Sequence, residues 1–369
     1  MSPSGSSNSS TFEWDTSSGP KPLPVQFHGE AGGFFRVWLV NLLLTIVTLG
    51  VWSAWAKVRT NQWFLRHTVV NGHAFDYHAT GLQIFKGRLM ALIAIAAYSA
   101  LVWLWPSLEW AAFIALMLAL PWAINAGLSF NAAMTSWSNV RFGFRGRYGG
   151  AALVFLIMPI VAVFSCGLLA PLCSRMSARY LASGYGYGNL AFATEPRLSA
   201  LYAALGRSVL VFIATVIMGI GVAFLTGLFP PGAMADIHSH LDPVNLILNF
   251  WWVILSGYIA LFVAGLYYGA SVHNEILNGT TITGGHRLES RLSPLRYVWI
   301  IVSGWLVASA TLMLAYPWAR VRQYRYLMRN ITLLAAPGLD EVVSSQQNAP
   351  GSFGGEFSEL EGFASAALY

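Results

Sequence analysis

Hydrophobic residues in this chain are gathered into long apolar runs, and shorter polar and basic segments separate these runs. Seven runs approach the roughly 20 residues that a helix needs to cross a bilayer. This pattern predicts a membrane protein that crosses the bilayer several times. The runs cover residues 34–55, 89–105, 110–130, 151–172, 208–229, 244–270 and 298–318.

The positive charges argue against seven spanning helices. Short loops rich in Lys and Arg stay on the cytoplasmic side, yet seven crossings would export the basic segments 174–207 and 271–297. The conflict disappears if the first, fourth and seventh runs are re-entrant hairpins from the cytoplasmic face, or shallow interfacial helices. The remaining runs then span as two pairs, 89–130 and 208–270, and both termini are cytoplasmic.

A basic and aromatic motif recurs after each of the three odd runs. Residues 55–67 (WAKVRTNQWFLRH) match residues 318–330 (WARVRQYRYLMRN), and residues 171–181 form a weaker copy. An Asn-Gly pair at Asn71-Gly72 predicts a small β-hairpin after the first copy, and Gly188-Asn189 follows the second. These features predict an all-α polytopic membrane protein with internal repeats of re-entrant hairpin, basic amphipathic helix, small β element and spanning helix pair.

The repeat divides the chain into five segments. The first unit has hairpin 34–55 and spanning pair 89–130, the second has hairpin 151–172 and spanning pair 208–270, and the third stops after hairpin 298–318. Both ends are polar and poor in large apolar residues, which is typical of disordered tails. The predicted segments are a tail at 1–24, units at 25–150 and 151–297, a partial unit at 298–335 and a tail at 336–369.

Composition supports a membrane environment. Hydrophobic residues make up 56% of the 369 residues and charged residues only 10%, against about 25% in soluble domains. The formal net charge is +6. Because the basic residues flank apolar runs and no nucleic-acid motif is present, we expect anionic lipid headgroups as the counter-charge rather than nucleic acid.

The basic residues of the recurring motif are the candidate binding residues. Arginine can bind a phosphate group through two parallel hydrogen bonds, so these residues are candidates for holding a lipid headgroup or another anion. A structural alternative is that they anchor the topology by extending their charges to the interface. The candidates are Lys57, Arg59, Arg66, Arg175, Arg179, Arg320, Arg322, Arg325 and Arg329.

Other chemistry is not recognisable in the sequence. We expect no catalytic residues, no cofactor and no metal ion, and therefore a protein that is not an enzyme. His238 and His240 occupy alternate positions in the loop that joins the two helices of the second spanning pair. A weak metal site there is therefore an alternative to an ordinary solvated loop. Intramembrane carboxylates, which proton-coupled pumps need, are not evident.

At these motifs the chain resembles the YjgN-like family of bacterial inner-membrane proteins. The resemblance rests on Phe27-His-Gly29, Thr48-Leu-Gly50, the Trp-Ala-basic-Val-Arg motif, Asn71-Gly72 and Gly87-Arg88, and it covers about residues 25–335. It implies a multi-pass inner-membrane protein and supplies no catalytic residue. The middle copy departs most, with Cys173-Ser174 in place of the basic position.

Two functions remain open. The first is a non-enzymatic protein that organises or senses the inner leaflet through hydrophobic hairpins and Arg clusters, with membrane phospholipids as partners. The alternative is a transporter or channel for a small or lipid-like solute, which internal repeats and broken membrane segments also favour. Self-association is left open.

Overall fold

The structure, a computed structural model, describes residues 19–226 and 243–337, and for residues 243–250 it describes the backbone alone. Most of both predicted tails lies outside the described residues, as does the loop with His238 and His240.

The helices fall into a long and a short class. Those described are α1 (Ala31–Val47), α2 (Ser53–Arg66), α3 (Gly81–Leu104), α4 (Glu109–Met134), α5 (Tyr148–Ala151), α6 (Met158–Phe164), α7 (Ala170–Gly184), α8 (Leu198–Leu225), α9 (Pro243–Asn278), α10 (Pro294–Ala310) and α11 (Tyr316–Arg329). A 3₁₀ turn at Pro106–Leu108 precedes α4, and π-helical residues Ala152–Ile157 join α5 to α6. By length and composition, α3, α4, α8 and α9 could cross a membrane.

Three short helical pairs reverse the chain through turns of one design. Helices α1 and α2, α6 and α7, and α10 and α11 contact each other across five-residue turns. Each turn holds two consecutive residues with positive φ: Leu49-Gly50, Cys166-Gly167 and Leu312-Met313. A hydroxyl side chain opens each turn and accepts a hydrogen bond from the amide four residues later, at 2.9–3.1 Å; the residues are Thr48, Ser165 and Thr311.

These turns lie inside the three odd apolar runs. The first run reverses at residues 48–52, so its second arm is the basic helix α2 itself rather than a further segment of the run. The same holds for α7 and α11. Whether these pairs enter a membrane from one face stays a prediction.

Short strands connect the helical pairs. They are β1 (Lys21–Pro24), β2 (Gln26–Phe27), β3 (Thr68–Val70), β4 (His73–Tyr77), β5 (Thr135–Trp137), β6 (Val140–Phe144), β7 (Tyr185–Tyr187), β8 (Leu190–Thr194), β9 (Thr280–Ile282), β10 (His286–Ser290) and β11 (Ile331–Ala335). In the described part of the chain they form one antiparallel sheet of eleven strands in the order β1-β11-β10-β9-β8-β7-β6-β5-β4-β3-β2.

The two ends of this sheet meet at Val25. Strand β1 pairs with β11 and β2 pairs with β3, and Val25 alone separates β1 from β2. The Val25 amide donates to the carbonyl of Ile331 at 3.0 Å, so the segment 21–27 changes partner midway and closes the sheet into a small barrel. Side chains from all sides fill its interior, among them Leu23, Val70, Trp137, Val140, Tyr187 and Ala335.

The first and last helical pairs also meet. Phe27 and Phe34 pack against Phe64 of α2 and Val321 of α11 in one buried cluster. Since α11 ends at Arg329, only eight residues before the last described residue, this cluster joins the two ends of the described chain. The helices therefore form a ring above the closed barrel.

The prediction of an all-α fold is wrong, because 69% of the described residues are helical and 15% of them lie in strands. The hairpins at Asn71-Gly72 and Gly188-Asn189 were expected only as isolated β elements. Strands were not predicted beside the other two turns, at Ser138-Asn139 and at residues 283–285. The hairpins around all four turns contribute to the sheet. Residues 21–24, placed in the tail by sequence, form β1. An isolated hairpin is marginally stable, and these strands depend on partners far away in the sequence.

Candidate membrane-binding site

The turns of the three short helical pairs expose large apolar side chains. Leu49 is 95% exposed and Leu312 is 89% exposed, and Phe164, the last residue before the middle turn, is 85% exposed. Contiguous exposed apolar surface marks a site that binds a membrane or a partner. We call these three turns, residues 48–52, 165–169 and 311–315, the hairpin tips.

Basic residues follow the hairpin tips closely. Lys57 stands four residues after the first residue of α2, Arg175 five after that of α7, and Arg320 four after that of α11. At 1.5 Å per residue, these charges lie only about 6–8 Å along the helix from the tip.

The first tip lies level with the beginning of a long helix. The Ser53 hydroxyl, at the start of α2, accepts a hydrogen bond from the Arg88 guanidinium of α3. The Trp55 indole packs against Gly81, the first residue of α3, so closely that a Cβ atom there would clash. The apolar part of α3 then continues from residue 89 to residue 104, about 24 Å beyond the tip.

The barrel sets the height of the tips. Five helices are followed directly by a strand of the barrel, with at most one residue between the helix and the strand. They are α2, α4, α7, α9 and α11. Helices α2, α7 and α11 are 14, 15 and 14 residues long, whereas α4 has 26 residues and α9 has 36. Starting from one barrel, the short helices reach about 21–23 Å and α4 about 39 Å.

Five of the nine candidate basic residues make polar contacts within the protein. Arg66 pairs with Asp76 at 2.8 Å, Arg175 and Arg179 both pair with Glu195, and Arg325 donates to the carbonyl of Gly29 at 2.8 Å. Arg322 donates to Ser303 at 2.8 Å. Of these, Arg66 joins α2 to β4, Arg175 and Arg179 join α7 to the segment after β8, and Arg325 joins α11 to the segment before α1.

The carboxylates of these pairs are held ionised. The Arg179 guanidinium holds the pKa of Glu195 below its usual range, with Arg175 as a second contributor. Burial alone would raise the pKa of Asp76, but hydrogen bonds from Arg66 and from the Tyr77 amide lower it below the usual range. Both pairs lie at the surface, where solvent screens the attraction between the charges, so each adds little to stability.

Two arginines near the tips lie over tryptophan rings. The Arg59 guanidinium is 5.1 Å from the ring centroid of Trp52, and that of Arg322 is 5.2 Å from the ring of Trp318. Tryptophan favours the headgroup level of a bilayer, and the planar guanidinium can bind phosphate while it is stacked. The other candidates near solvent are exposed: Lys57, Arg320 and Arg329.

A cavity of about 800 Å³ lies among the helices above the barrel. It is lined mainly by apolar side chains of α4, α6, α7 and α9, and the strands contribute Phe75, Phe142, Phe192 and Leu288. Each of these four is the third residue of a five-residue strand. This cavity was not expected from the sequence.

Sequence reasoning named Thr48 only as part of the Thr48-Leu-Gly50 motif and missed the equivalent hydroxyl residues of the other two tips. Thr48, Ser165 and Thr311 each stand seven residues before the motif position occupied by Trp55, Leu172 and Trp318. Aligning the three copies from this position backward would have found them. Glu195, which joins two of the candidate arginines, had no comparable signal.

Comparisons with known proteins identify a family and several relatives. Residues 22–360 match the family described as "Bacterial protein of unknown function (DUF898)". The chain is 25% identical over 342 residues to "Inner membrane protein YjgN" of Salmonella typhimurium, covering 82% of this chain and 86% of that protein. It is 29% identical over 154 residues to the protein of that name in Escherichia coli O157:H7, and this match covers 41% of this chain and 38% of that protein.

No solved structure matches the chain. The resemblance to a YjgN-like inner-membrane family is confirmed, and four apolar helices of spanning length fit an integral membrane protein. The chain belongs to the DUF898 family of bacterial proteins, whose relatives in Salmonella and Escherichia are inner-membrane proteins.

Proposed function

We propose that this protein is not an enzyme and that it organises or senses the cytoplasmic leaflet of the inner membrane. Two spanning pairs anchor it, and three shallow hairpins insert their apolar tips into one leaflet. The arginines beside the tips bind anionic headgroups. In this proposal the barrel and both termini are cytoplasmic, and the three hairpin copies are internal repeats.

The short distance between tip and charge carries the proposal. Pushing the tips toward the bilayer centre would bury Lys57, Arg175 and Arg320, at a cost of about 2.5–3.5 kcal/mol for each charge. Leaving the tips in water would expose Leu49, Leu312 and Phe164. The favoured depth lies between these limits, about 5–10 Å into the leaflet.

Three shallow hairpins in one leaflet have a mechanical consequence. Their volume expands the cytoplasmic leaflet without an equal expansion of the outer leaflet. The protein would therefore either promote membrane curvature or bind preferentially to curved membrane. The relatives' names give no activity, so this consequence rests on the geometry of the tips alone.

The test is anionic-lipid binding by the double variant Arg59→Ala plus Arg322→Ala. Purified protein is reconstituted with phosphatidylethanolamine and phosphatidylglycerol, and the retained phosphatidylglycerol is measured by native mass spectrometry. At about 1 kcal/mol for each basic residue, we expect a loss of up to about thirtyfold in affinity. Vesicle diameter, measured by cryo-electron microscopy, should increase in the same variant.

The matched control is Arg141→Ala plus Arg287→Ala. These arginines are the exposed second residues of β6 and β10, so the same charge is removed from the barrel rather than from the tips. Unchanged phosphatidylglycerol retention in the tip variant, or an equal loss in the control, would refute headgroup binding at the tips. Topology is tested separately, since labelling of Ser183→Cys from outside intact cells would contradict a cytoplasmic barrel.

The cavity favours one alternative, the movement of a lipid-like solute between the spanning pairs. Its lining is largely apolar, so ions and polar solutes are poor candidates. Reconstituted protein that accelerates the flipping of fluorescent phospholipid between leaflets would support transport over organisation.

A further inference from the structure

We propose that the cavity above the barrel binds one acyl chain of a membrane lipid. The proposal deepens the membrane role proposed above, because it names a lipid group that enters the protein itself. It commits to a long hydrocarbon chain as the occupant, supplied by a phospholipid or by a free fatty acid.

The cavity follows α7 for most of its length. Lining residues run from Ala170, beside the middle hairpin tip, to Ala182, near the barrel. Twelve residues of helix span about 18 Å. The cavity is therefore an elongated space with one end at the tip, where acyl chains are present, and its other end at the barrel.

The barrel gives the cavity an apolar floor. Phe75, Phe142 and Phe192 pack on the buried core of the barrel and present their other surface to the cavity. Phe142 lies 5.0 Å from the ring of Tyr187, and Phe75 lies 6.4 Å from Phe142. These contacts fix the rings in place, so the floor is formed before any ligand arrives.

Five of the seven polar side chains in the lining bond to the protein, the other two being Ser177 and Tyr185. Ser174 bonds to the hydroxyl of Tyr268 at 3.0 Å, and Cys173 bonds to the carbonyl of Met158 at 3.3 Å. Asn131 accepts from Tyr77 at 3.1 Å, and Thr280 donates to the carbonyl of Ile276 at 2.6 Å. With these groups satisfied internally, the lining offers little to water and favours a hydrocarbon occupant.

Size and position agree with this occupant. Ligand pockets occupy about 300–1,000 Å³, and this cavity measures about 800 Å³. Each methylene group moved from water into such a site is stabilised by the hydrophobic effect. Charged side chains are not among the lining residues, so a headgroup would stay outside, at the level of the tip.

The test is photolabelling of the full chain in lipid nanodiscs. Two probes carry a diazirine in the acyl chain, one being phosphatidylglycerol and the other palmitic acid. Mass spectrometry then maps the labelled residues. We expect labels between residues 173 and 182 of α7 and between residues 272 and 277 of α9 with at least one probe, and the probe that gives them identifies the source of the chain.

A filled cavity provides the matched comparison. In Ser177→Phe the ring displaces at least two methylene groups of the occupant, which should reduce cavity labelling about tenfold. Ser183→Phe makes the same change at an exposed position of α7 outside the cavity and should leave labelling unchanged. Protection of Cys173 from N-ethylmaleimide by palmitate, in a Cys166→Ser protein, repeats the test without a bulky substitution.

Labels confined to lipid-facing residues such as Leu210 and Ile217, together with unprotected Cys173, would overturn the acyl-chain site. Ser177→Phe does not alter the arginines at the tips, so phosphatidylglycerol retention at the tips should persist in it. A failure of the cavity site is thereby distinguished from a failure of the shallow-hairpin function.

Discussion

Replacing Trp137 by alanine tests whether the strands form one closed, cooperative barrel. Trp137 is buried in the barrel core, where its ring lies 5.5 Å from Tyr187 and 6.2 Å from Phe75. Its indole Nε1 donates to the carbonyl of His73 at 3.2 Å, and its own carbonyl accepts from the Tyr187 hydroxyl at 2.8 Å. The side chain thus joins β4, β5 and β7.

The expected loss follows from this burial. Truncating a buried tryptophan to alanine costs about 3–5 kcal/mol, and the carbonyl of His73 loses one donor. Since each 1.4 kcal/mol is a factor of ten, amides that exchange through opening of the barrel should exchange about 100- to 4,000-fold faster. Hydrogen exchange followed by mass spectrometry, on protein in nanodiscs, measures this change.

The location of the effect decides the question. In a closed barrel, Leu23 and Ala335 share the core with Trp137, so β1 and β11 on the far side should also exchange faster. Faster exchange confined to β4–β7 would refute a cooperative barrel and indicate independent hairpins. The control is Trp103→Ala, which removes an indole that is 81% exposed on a long apolar helix. It should leave barrel exchange unchanged.

Two further predictions concern the last hairpin and the last strand. Thr311→Val removes the hydroxyl that accepts a hydrogen bond from the Ala315 amide. Losing this cap should lower the free energy that protects the amide by about 1 kcal/mol, so the amide should exchange faster. The control is Thr226→Val, which removes a hydroxyl that bonds only to carbonyls. His286 accepts from the Ala336 amide at 2.9 Å, and burial lowers its pKa. Below about pH 6.5, His286 is therefore protonated in the unfolded chain but stays neutral in the folded chain. As the pH falls through this range, the free energy of unfolding should decrease by up to about 1.4 kcal/mol per pH unit, until the pH reaches the pKa of His286 in the folded chain. Thermal unfolding in detergent at pH 7.5 and 5.5 measures this loss, and an equal loss in His286→Gln would exclude His286 as its cause.

The membrane segments could be predicted because their signals are local. Length and apolarity identify α3, α4 and α8, and each signal is contained within one segment of sequence. The reversal of the odd runs needed a second argument, from the placement of Lys and Arg. Even so, the tip at residues 48–52 fell later than the centre of its run, because α2 remains helical despite its polar and basic residues.

The barrel could not be predicted, because its hairpins carry unequal turn signals. Asn71-Gly72 is a strong hairpin pair, with φ of 49° and 77°. Ser138 and Asn139 adopt similar values, 48° and 63°, without a glycine, so the sequence gives little local indication of a turn. The partners of each hairpin come from other hairpins, and no local pattern specifies this pairing.

Strand β1 shows the same limit at the N-terminus. Pro22 and Pro24 lack the amide donors of an ordinary strand, and residues 1–24 as a whole are polar and rich in Ser and Pro, so this segment was assigned to a tail. Prolines are tolerated where the strand needs no donor at that position. Here β1 pairs with β11 alone before the chain changes partner at Val25.

The candidate site shows which part of recognition is local. The stacking of Arg59 on Trp52 joins residues seven apart, and that of Arg322 on Trp318 joins residues four apart, so both follow from a helix and its adjoining turn. The pairing of Arg175 and Arg179 with Glu195 crosses from α7 to the segment after β8. Sequence reasoning therefore treated all the arginines as equivalent, whereas the fold engages some of them in structural contacts.

The barrel explains why short and long helical pairs can work together in one membrane protein. A shallow hairpin gains little from its few apolar residues, and on its own it would lie at whatever depth its charges allow. Here α2, α7 and α11 are joined to the barrel by at most one residue and have nearly equal lengths, so their tips are held at similar heights. Helices α4 and α9 end at strands of the same barrel, so in the proposed arrangement they fix that barrel relative to the bilayer. Under this proposal the lengths of the helices set the depth of the tips together with the lipids, because a closed barrel gives all of these helices one common base.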